Sequence, residues 1–347
     1  MDIKSSKTKF YIIFVIALFL LCAVAVVIMF STGLIQRTAK SGKERKASDV
    51  VDDINTVVFN GKEYLPKDLE TYLVVGLDTF GEVAPGADYR NNKQADFLML
   101  IVVDNKAKEY SLFHINRDTI TTITEYGIGG VKIATTEPYR AQIALSHTYG
   151  DGERKSGGYV KDTVSSLLFN LKINHFVTMT MSGVEILNDF VAVNGLTVTL
   201  TEDLTSIDPT WKKGETIRLR GSNALDFVRQ RKGVGEQTNL ERMSRQRQYI
   251  TAFLNALPRN MTSSWLSNAY DAVSRYIFTD CTVSELKDFL SVLSDYDFTG
   301  NIYVPEGEPD YSGENAKFYV DGTEEYKQKL INLVCEVFYY PREAKKK

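Results

Sequence analysis

The chain has 347 residues, with 41 Lys and Arg against 44 Asp and Glu, a formal net charge of -3, and 44% hydrophobic residues. That length and apolar content support one large domain or two small ones with a sizeable core. The slightly acidic balance excludes a general nucleic-acid binder, whose domain carries a basic excess, so any recognition of anions must be local.

Residues 10–30, FYIIFVIALFLLCAVAVVIMF, form an uncharged run of 21 positions. At about 1.5 Å per residue, a helix of that length crosses a hydrocarbon layer of about 30 Å. No A-x-A-like cleavage site follows, and Leu21 before Cys22 is too large for a lipoprotein cleavage box. The run therefore reads as one uncleaved transmembrane anchor after a short tail, residues 1–9. Lys4, Lys7 and Lys9 precede it, whereas Arg37, Lys40, Lys43, Arg45 and Lys46 follow it. A bare count places the large domain in the cytoplasm. The following charges begin seven residues past the run, however, while Lys9 abuts it, so charge alone leaves the orientation open.

Residues 31–66 are polar and weakly patterned and read as a juxtamembrane linker. A domain spans 67–258, and residues 259–347 form a C-terminal extension packing on its core. YLVVGLD, residues 72–78, is a short apolar run that predicts a buried strand. GEVAPGADYRNNKQ predicts a loop, and DFLMLIVVDNKAKEYSLFHINRD predicts two strands joined by a hairpin at DNKAK. Helices follow. Val164, Leu167, Leu168 and Leu171 share one face of a helix over 160–171, and Ser182 is a candidate cap for a helix over 182–191. SNALDFVRQR predicts another helix, capped by Ser222 or Asn223. Residues 239–257 form a long helix with Asn239 as candidate N-cap. DCTVSELKDFLSVL and EEYKQKLINLVCEVF give two more amphipathic helices. Strands interspersed with helices predict an α/β fold, an α/β/α sandwich with a mixed central sheet, preceded by one transmembrane helix.

Candidate chemistry falls at strand ends. Asp78 closes the first strand, Asp96 opens the second, and Arg117 and Asp118 close the third. An antiparallel hairpin puts Asp96 beside Arg117, and a first strand parallel to the third brings Asp78 to the same edge. Two carboxylates suit a hard cation such as Mg²⁺. They equally suit turn caps, and Arg117 equally suits an ion pair with Asp118. Residues 226–250, DFVRQRKGVGEQTNLERMSRQRQYI, concentrate guanidinium. Arg242, Arg245 and Gln246 share a helical face, and Arg229 and Arg231 end the preceding helix. Gly233 and Gly235 in the connector let the second helix fold back, so four guanidiniums could meet where phosphate would bind. The alternative is an exposed basic face. Cys281 and Cys335 could pair or stay free, and the three histidines, His114, His147 and His175, lie far apart with no zinc-type cluster among them.

Seven stretches in order carry a resemblance: VVGLD, ADFLMLIVVD, INRDTI, YRAQIALSHTYGDG, SGVEILNDFVAVNGLTV, LRGSNALDFVRQRK and NLERMSRQRQ. From about Tyr72 to Leu257 the chain resembles the LytR–CpsA–Psr (LCP) family, with a weaker echo in IFTDCTVSELKDFL. The resemblance implies a membrane-anchored enzyme with its large domain outside the cell. Such an enzyme moves a glycopolymer, teichoic acid or capsule, from a polyprenyl-diphosphate carrier to peptidoglycan, assisted by Mg²⁺. It implies that Asp78 and Asp96 hold the metal and that Arg117, Arg229, Arg231 and Arg242 grip the diphosphate, with Gln246 assisting. The polyprenyl chain would need an apolar tunnel, for which helices over 162–192 are candidates, although their apolar stripes also suit an ordinary core. Partners would be the lipid-linked polymer, the peptidoglycan acceptor and membrane lipid, and no nucleic acid.

The chain departs from the family at several positions. Phe80 stands where the family has Arg after the first Asp, and Gln94 and Ala95 precede Asp96 where the family has Arg and Ser. Gln142 stands for a family Lys, with Arg140 two positions away as a candidate substitute in diphosphate binding. Asn239 replaces an Asp. These changes leave two functions: an active transferase, or a catalytically weak or inactive protein that binds polyprenyl diphosphate or wall polymer in a holding or regulatory role.

Overall fold

A computed structural model describes residues 56–86, 89–134, 137–231, 233–235 and 237–342. The anchor predicted over 10–30 lies outside these residues, and among the described residues no helix is long and apolar enough to cross a membrane. In chain order the strands are β1 (Val57–Phe59), β2 (Lys62–Pro66), β3 (Glu70–Leu77), β4 (Ala95–Asp104), β5 (Glu109–Ile115), β6 (Ile120–Thr122) and β7 (Arg140–Gln142), then helix α1 (Arg154–Leu167). There follow β8 (His175–Met179), α2 (Met181–Val191), β9 (Leu196–Thr199), β10 (Thr216–Leu219), α3 (Ser222–Arg229), α4 (Asn239–Ala256) and α5 (Ser263–Val273). The last elements are β11 (Ile277–Thr279), α6 (Val283–Asp295), β12 (Asp297–Tyr303), β13 (Glu308–Asp310), β14 (Lys317–Tyr319), α7 (Glu324–Phe338) and β15 (Tyr339–Pro341).

Six strands form the central sheet in the order β11-β8-β3-β4-β5-β12. β3, β4 and β5 pair antiparallel in sequence, whereas β8 runs parallel to β3 and β12 parallel to β5. The mixed sheet follows from the two apolar runs around the Asp104–Lys108 turn. There Asp104 Oδ1 accepts from the amides of Lys106 (2.9 Å) and Ala107 (2.8 Å). Successive residues of β4 face opposite ways. Leu98, Leu100 and Val102 join a core with α1 and α7, while Met99, Ile101 and Val103 join a second core with α4, α5 and α6. Such a strand is buried on both faces, which explains its unbroken apolar run, and two helix layers enclose the sheet.

Several predicted boundaries move. Residues 57–66, read as the end of the linker, are β1 and β2, and β2 pairs with β15 near the C-terminus. The boundary at 258 does not separate an extension from the core, because β11 and β12 supply both edges of the central sheet. Local periodicity carries no record of such distant pairing. The helix predicted over 160–171 starts at Arg154 and stops at Leu167, where Phe169 and Asn170 turn the chain at φ 61° and 63°. Caps shift as well. Thr180 precedes α2, and Ser182 instead accepts the Gly81 amide at 3.0 Å. Gly221, at φ 53°, precedes α3.

The N-cap of α4 is Thr238 rather than Asn239. Thr238 Oγ1 accepts the Glu241 amide (3.3 Å) and the Glu241 carboxylate accepts the Thr238 amide (3.4 Å). This capping box satisfies the helix end with its own residues and frees the Asn239 side chain. Cys281 and Cys335 are both free thiols. Cys281 packs in the α5–α6 core, whereas Cys335 on α7 lies beside Tyr64, on the other side of the sheet.

Candidate functional site

Where β3 ends, its register with β4 shifts: Gly76 lies opposite Phe97 and Leu77 opposite Ala95. Asp96 is therefore the extra residue of a β-bulge, a device that re-aims a side chain at a sheet end. It points at two guanidiniums. Oδ1 pairs with Arg117 Nη1, and Oδ2 lies 3.3 Å from Arg242 Nη1. Arg117, just past β5, also donates through Nη2 to Gln94 Oε1 (2.8 Å), and its Nε lies 3.3 Å from Asp118 Oδ1. Arg117 thus meets Asp96, as the hairpin pairing predicts, and also Asp118, the alternative ion-pair partner the sequence offered. Asp78 sits at the same edge, with its Oδ1 accepting the Gln94 amide at 2.6 Å.

A buried polar scaffold stands behind these groups. Asn116, Asp118, Asn239 and Arg242 are each at most 6% exposed. Asn116 Oδ1 accepts from the Asp118 amide (2.9 Å) and from Asn239 Nδ2 (2.6 Å). Asn239 Oδ1 in turn accepts from Arg242 Nε (3.0 Å) and Nη2 (2.7 Å). Gln142 Nε2 donates to Asp118 Oδ1 at 2.9 Å. Each of these side chains thus meets a partner, as burial demands, and the Arg242 fork is held in one plane, whereas the neighbouring Arg117 Nε is buried without a hydrogen bond. Asn239 does this as a neutral amide that both donates and accepts.

The electrostatics follow from burial. Desolvation raises the Asp78 carboxyl above its ordinary range, the Gln94 amide opposes that, and the charge of Asp96 adds to it. Burial likewise raises Asp118, against the pull of Arg117, Arg242 and Arg231. Burial lowers Arg242, with Asp96 opposing. Asp78 has no ion pair among the described residues. Two carboxylates, one of them without a cation and destabilised by the other, are a donor set that fits a divalent cation completed by phosphate oxygens.

The remaining predicted residues divide. Arg231 is half-buried, and its charge acts on Asp118 and Arg242. Arg229 is exposed and stands over the Phe80 ring at 5.5 Å, so the aromatic that replaces a family arginine holds another arginine at the margin. Arg140 is not in the cluster; it pairs with Asp321 at 2.7 Å. Arg245 does not converge on the site either. It is 1% exposed and donates to the carbonyls of Phe227 (3.1 Å) and Gln230, tying α4 to the end of α3. Gln246 turns to the Val228 carbonyl (3.2 Å).

Gln246 also lines an apolar cavity of about 240 Å³ between the sheet and α2, α4, α5 and α6, with Val74, Phe97, Met179, Leu187 and Phe253 in its wall. Of the predicted tunnel helices only α2 borders it, since α1 packs on the opposite face of the sheet. Phe97 follows Asp96 in the chain, and Gln246 lies one turn after Arg242, so the cavity adjoins the charged cluster. Asn116 is absent from the residues predicted from sequence, its only signal being its place beside Arg117. Gln94 enters there only as a departure from the family's pattern, and Asn239 only as such a departure and as a candidate cap. Pairing of β8 with β11 also brings His175 near Asp280 and Cys281, a grouping invisible in sequence, and Lys161 neutralises Asp280 there at 2.6 Å.

The sequence pattern of the LytR_cpsA_psr family matches residues 27–326. No curated protein matches the chain. Among solved structures, TagT bound to LI-WTA is 18% identical with a TM-score of 0.57, over 78% of this chain and 90% of TagT. Protein gbs0355 from Streptococcus agalactiae is 20% identical with a TM-score of 0.58, over 77% and 87% of the two chains. B. subtilis TagV is 18% identical with a TM-score of 0.56, over 78% and 97%. At these identities the likeness is one of fold.

Proposed function

The chain belongs to the LytR_cpsA_psr family, and from that premise we propose that it is a membrane-anchored cell-wall glycopolymer transferase. Its donor is a glycopolymer on a polyprenyl-diphosphate carrier and its acceptor is peptidoglycan. The observation that carries this is the adjacency of a guanidinium–carboxylate cluster to an apolar cavity of about 240 Å³. A diphosphate head with a polyisoprenoid tail needs both at once. TagT, a neighbour in fold, is described as bound to LI-WTA. The anchor over residues 10–30 would hold the domain at the outer face of the membrane, within reach of its lipid donor.

Phosphoryl transfer asks the protein for position and for cover of developing charge. Arg117, Arg242 and Arg231, with Arg229 at the margin, cover the diphosphate oxygens. Asp96 and Gln94 hold the plane of Arg117 and Asn239 that of Arg242, so little reorganisation is left for the moment of reaction. Asp78 and Asp96 would hold Mg²⁺, which when bound neutralises phosphate charge. The acceptor hydroxyl, the C6 hydroxyl of N-acetylmuramic acid, attacks the phosphorus next to the glycan. One P–O bond forms, the bridging P–O bond breaks, and polyprenyl phosphate leaves with the electron pair and takes up the hydroxyl proton. The cavity keeps the tail in place through both events.

The test uses the full chain in detergent micelles with a polyprenyl-diphosphate glycan, a peptidoglycan acceptor and Mg²⁺, following bound lipid and released polyprenyl monophosphate by mass spectrometry. Release that requires Mg²⁺ and is lost in Asp96→Asn supports the transferase. Binding without release converts the protein into a holder of lipid-linked polymer, the outcome that Phe80, Gln94 and Asn239 favour by thinning the charge around Asp78 and Asp96.

A further inference from the structure

Helix α4 carries a second polar face, away from the cluster. Ser244, Arg247, Gln248, Thr251 and Asn255 recur at helical spacing and form one wall of an open groove of about 1020 Å³. The other wall is β9 and its continuation, where Thr197, Thr199 and Thr201 alternate outward along the strand. Gly300 and Ile302 of β12 close one side. None of the groove's lining residues belongs to the Asp96 cluster.

Two features mark the groove as more than a wet surface. Arg247 is half-buried, yet its guanidinium has neither an ion pair nor a hydrogen bond among the described residues, and burial alone lowers its pKa. Every other arginine of α4 is committed: Arg242 to Asp96 and Asn239, and Arg245 to α3. Gln248 donates through Nε2 to Thr201 Oγ1 at 2.6 Å, which leaves its Oε1 buried with no donor. A desolvated charge without a partner and a buried acceptor without a donor both cost stability. An anion at Arg247 would relieve the first, and a turn of the Gln248 side chain that brings Oε1 to a ligand hydroxyl would relieve the second. Between apolar residues such as Leu196, Ala252 and Ala256, the lining also offers hydroxyls and an amide in rows, which fits a sugar ligand with both apolar faces and hydroxyls along its length. Guanidinium pairs equally with phosphate and carboxylate.

We propose that this groove binds a segment of an anionic glycan chain, with Arg247 taking its anionic group and the Thr, Gln and Asn side chains taking its hydroxyls. The site is separate from the diphosphate cluster and does not depend on turnover there. A phosphate-bearing glycopolymer and a peptidoglycan strand share this chemistry, and the experiment separates them.

The full chain in detergent micelles is titrated with three end-labelled probes: carrier-free poly(glycerol phosphate), solubilised peptidoglycan glycan strands, and uncharged dextran of matched length. Fluorescence polarisation reads the affinity. At least one anionic polymer binds, and dextran binds at least tenfold more weakly. Arg247→Gln lowers the affinity fivefold or more and flattens its salt dependence. Thr197→Glu, on an exposed strand position, also weakens binding, by repulsion. Neither variant falls below the wild-type Tm, and both keep the wild-type level of polyprenyl-diphosphate binding, so loss at the groove is distinct from loss at the cluster. Preference for poly(glycerol phosphate) assigns the groove to the donor polymer, and preference for glycan strands assigns it to the acceptor. Dextran binding as tightly as the anionic polymers, no polymer binding at all, or affinity untouched by both variants overturns the proposal.

Discussion

Replacing Arg242 by Met keeps the side-chain volume and removes the guanidinium that joins α4 to the bulged Asp96. Arg242 gives two hydrogen bonds to Asn239 Oδ1, at 3.0 and 2.7 Å, and an ion pair to Asp96 at 3.3 Å. Breaking a buried ion pair from one side costs about 3–5 kcal/mol when the remaining charge is stranded. Asp96 is not stranded here, because Arg117 still pairs with its other oxygen. Asn239 loses both donors to one oxygen but keeps its own bond to Asn116. The expected cost is therefore below that range, about 2–3 kcal/mol, or a fall in Tm of roughly 3–5 °C for a domain of this size. Polyprenyl-diphosphate affinity should fall at least about tenfold, the equivalent of one lost charge-assisted contact. Differential scanning fluorimetry gives the first number, and titration below the shifted Tm gives the second. A lowered Tm with unchanged diphosphate affinity would make Arg242 a purely structural residue and refute its place in the site. Neither change would refute the geometry as well.

Asp78→Asn should raise the metal-free Tm at pH 7. The folded-state pKa of Asp78 is raised, so ionisation disfavours the fold as pH rises through that value, and the neutral amide escapes the penalty. The same variant should lose any Tm rise on adding Mg²⁺, and a retained rise would remove Asp78 from the metal site. Phe80→Arg places a family-type guanidinium beside Asp78 and removes the ring under Arg229. Diphosphate affinity should tighten by about tenfold, on the scale of one added charge-assisted bond, and isothermal titration would detect a failure to tighten. His114 is buried and held neutral, its pKa pulled down to about 3 by desolvation first and then by Arg247 and Arg242. The unfolded chain takes up that proton as pH falls below about 6.5, so stability is full above that pH and is lost toward pH 3. His114→Leu should flatten the decline in urea midpoint between pH 7 and pH 5. His147, pulled down to about 4, keeps part of the slope in place, and an unchanged slope would exclude His114 as its source.

Much of the site was legible because antiparallel pairing is a local rule. Two apolar runs around DNKAK fix β4 and β5 side by side, and that alone sets Asp96 against Arg117. The parallel sense of β3 and β5 then brings in Asp78. Helical periodicity found α4, but it could not tell which arginine on that helix faces the sheet end. Arg242 does, whereas Arg245, three residues on, meets the α3 carbonyls. About 60° of rotation around the helix separates a site residue from a structural one, and only packing against α3 sets that rotation. The bulge at Asp96 depends on register, and the partnership of Arg140 with Asp321 depends on where the last quarter of the chain returns. The same holds for β1 and β2, which look like linker until β15 pairs beside them. Asn239 was misread as a cap because Asn and Thr are both good caps. The Glu three residues after Thr238 was the signal that decides between them.

The most direct measurement asks whether the new phosphodiester forms. The full chain is incubated with a polyprenyl-diphosphate glycan labelled in its sugar, nascent peptidoglycan and Mg²⁺, and the product is digested with a muramidase and read by mass spectrometry. The account predicts a labelled muropeptide carrying the glycan through phosphate on N-acetylmuramic acid, absent with Asp96→Asn and with Arg242→Met below its Tm. Donor lipid bound in full, with acceptor present and no linked muropeptide, would contradict it.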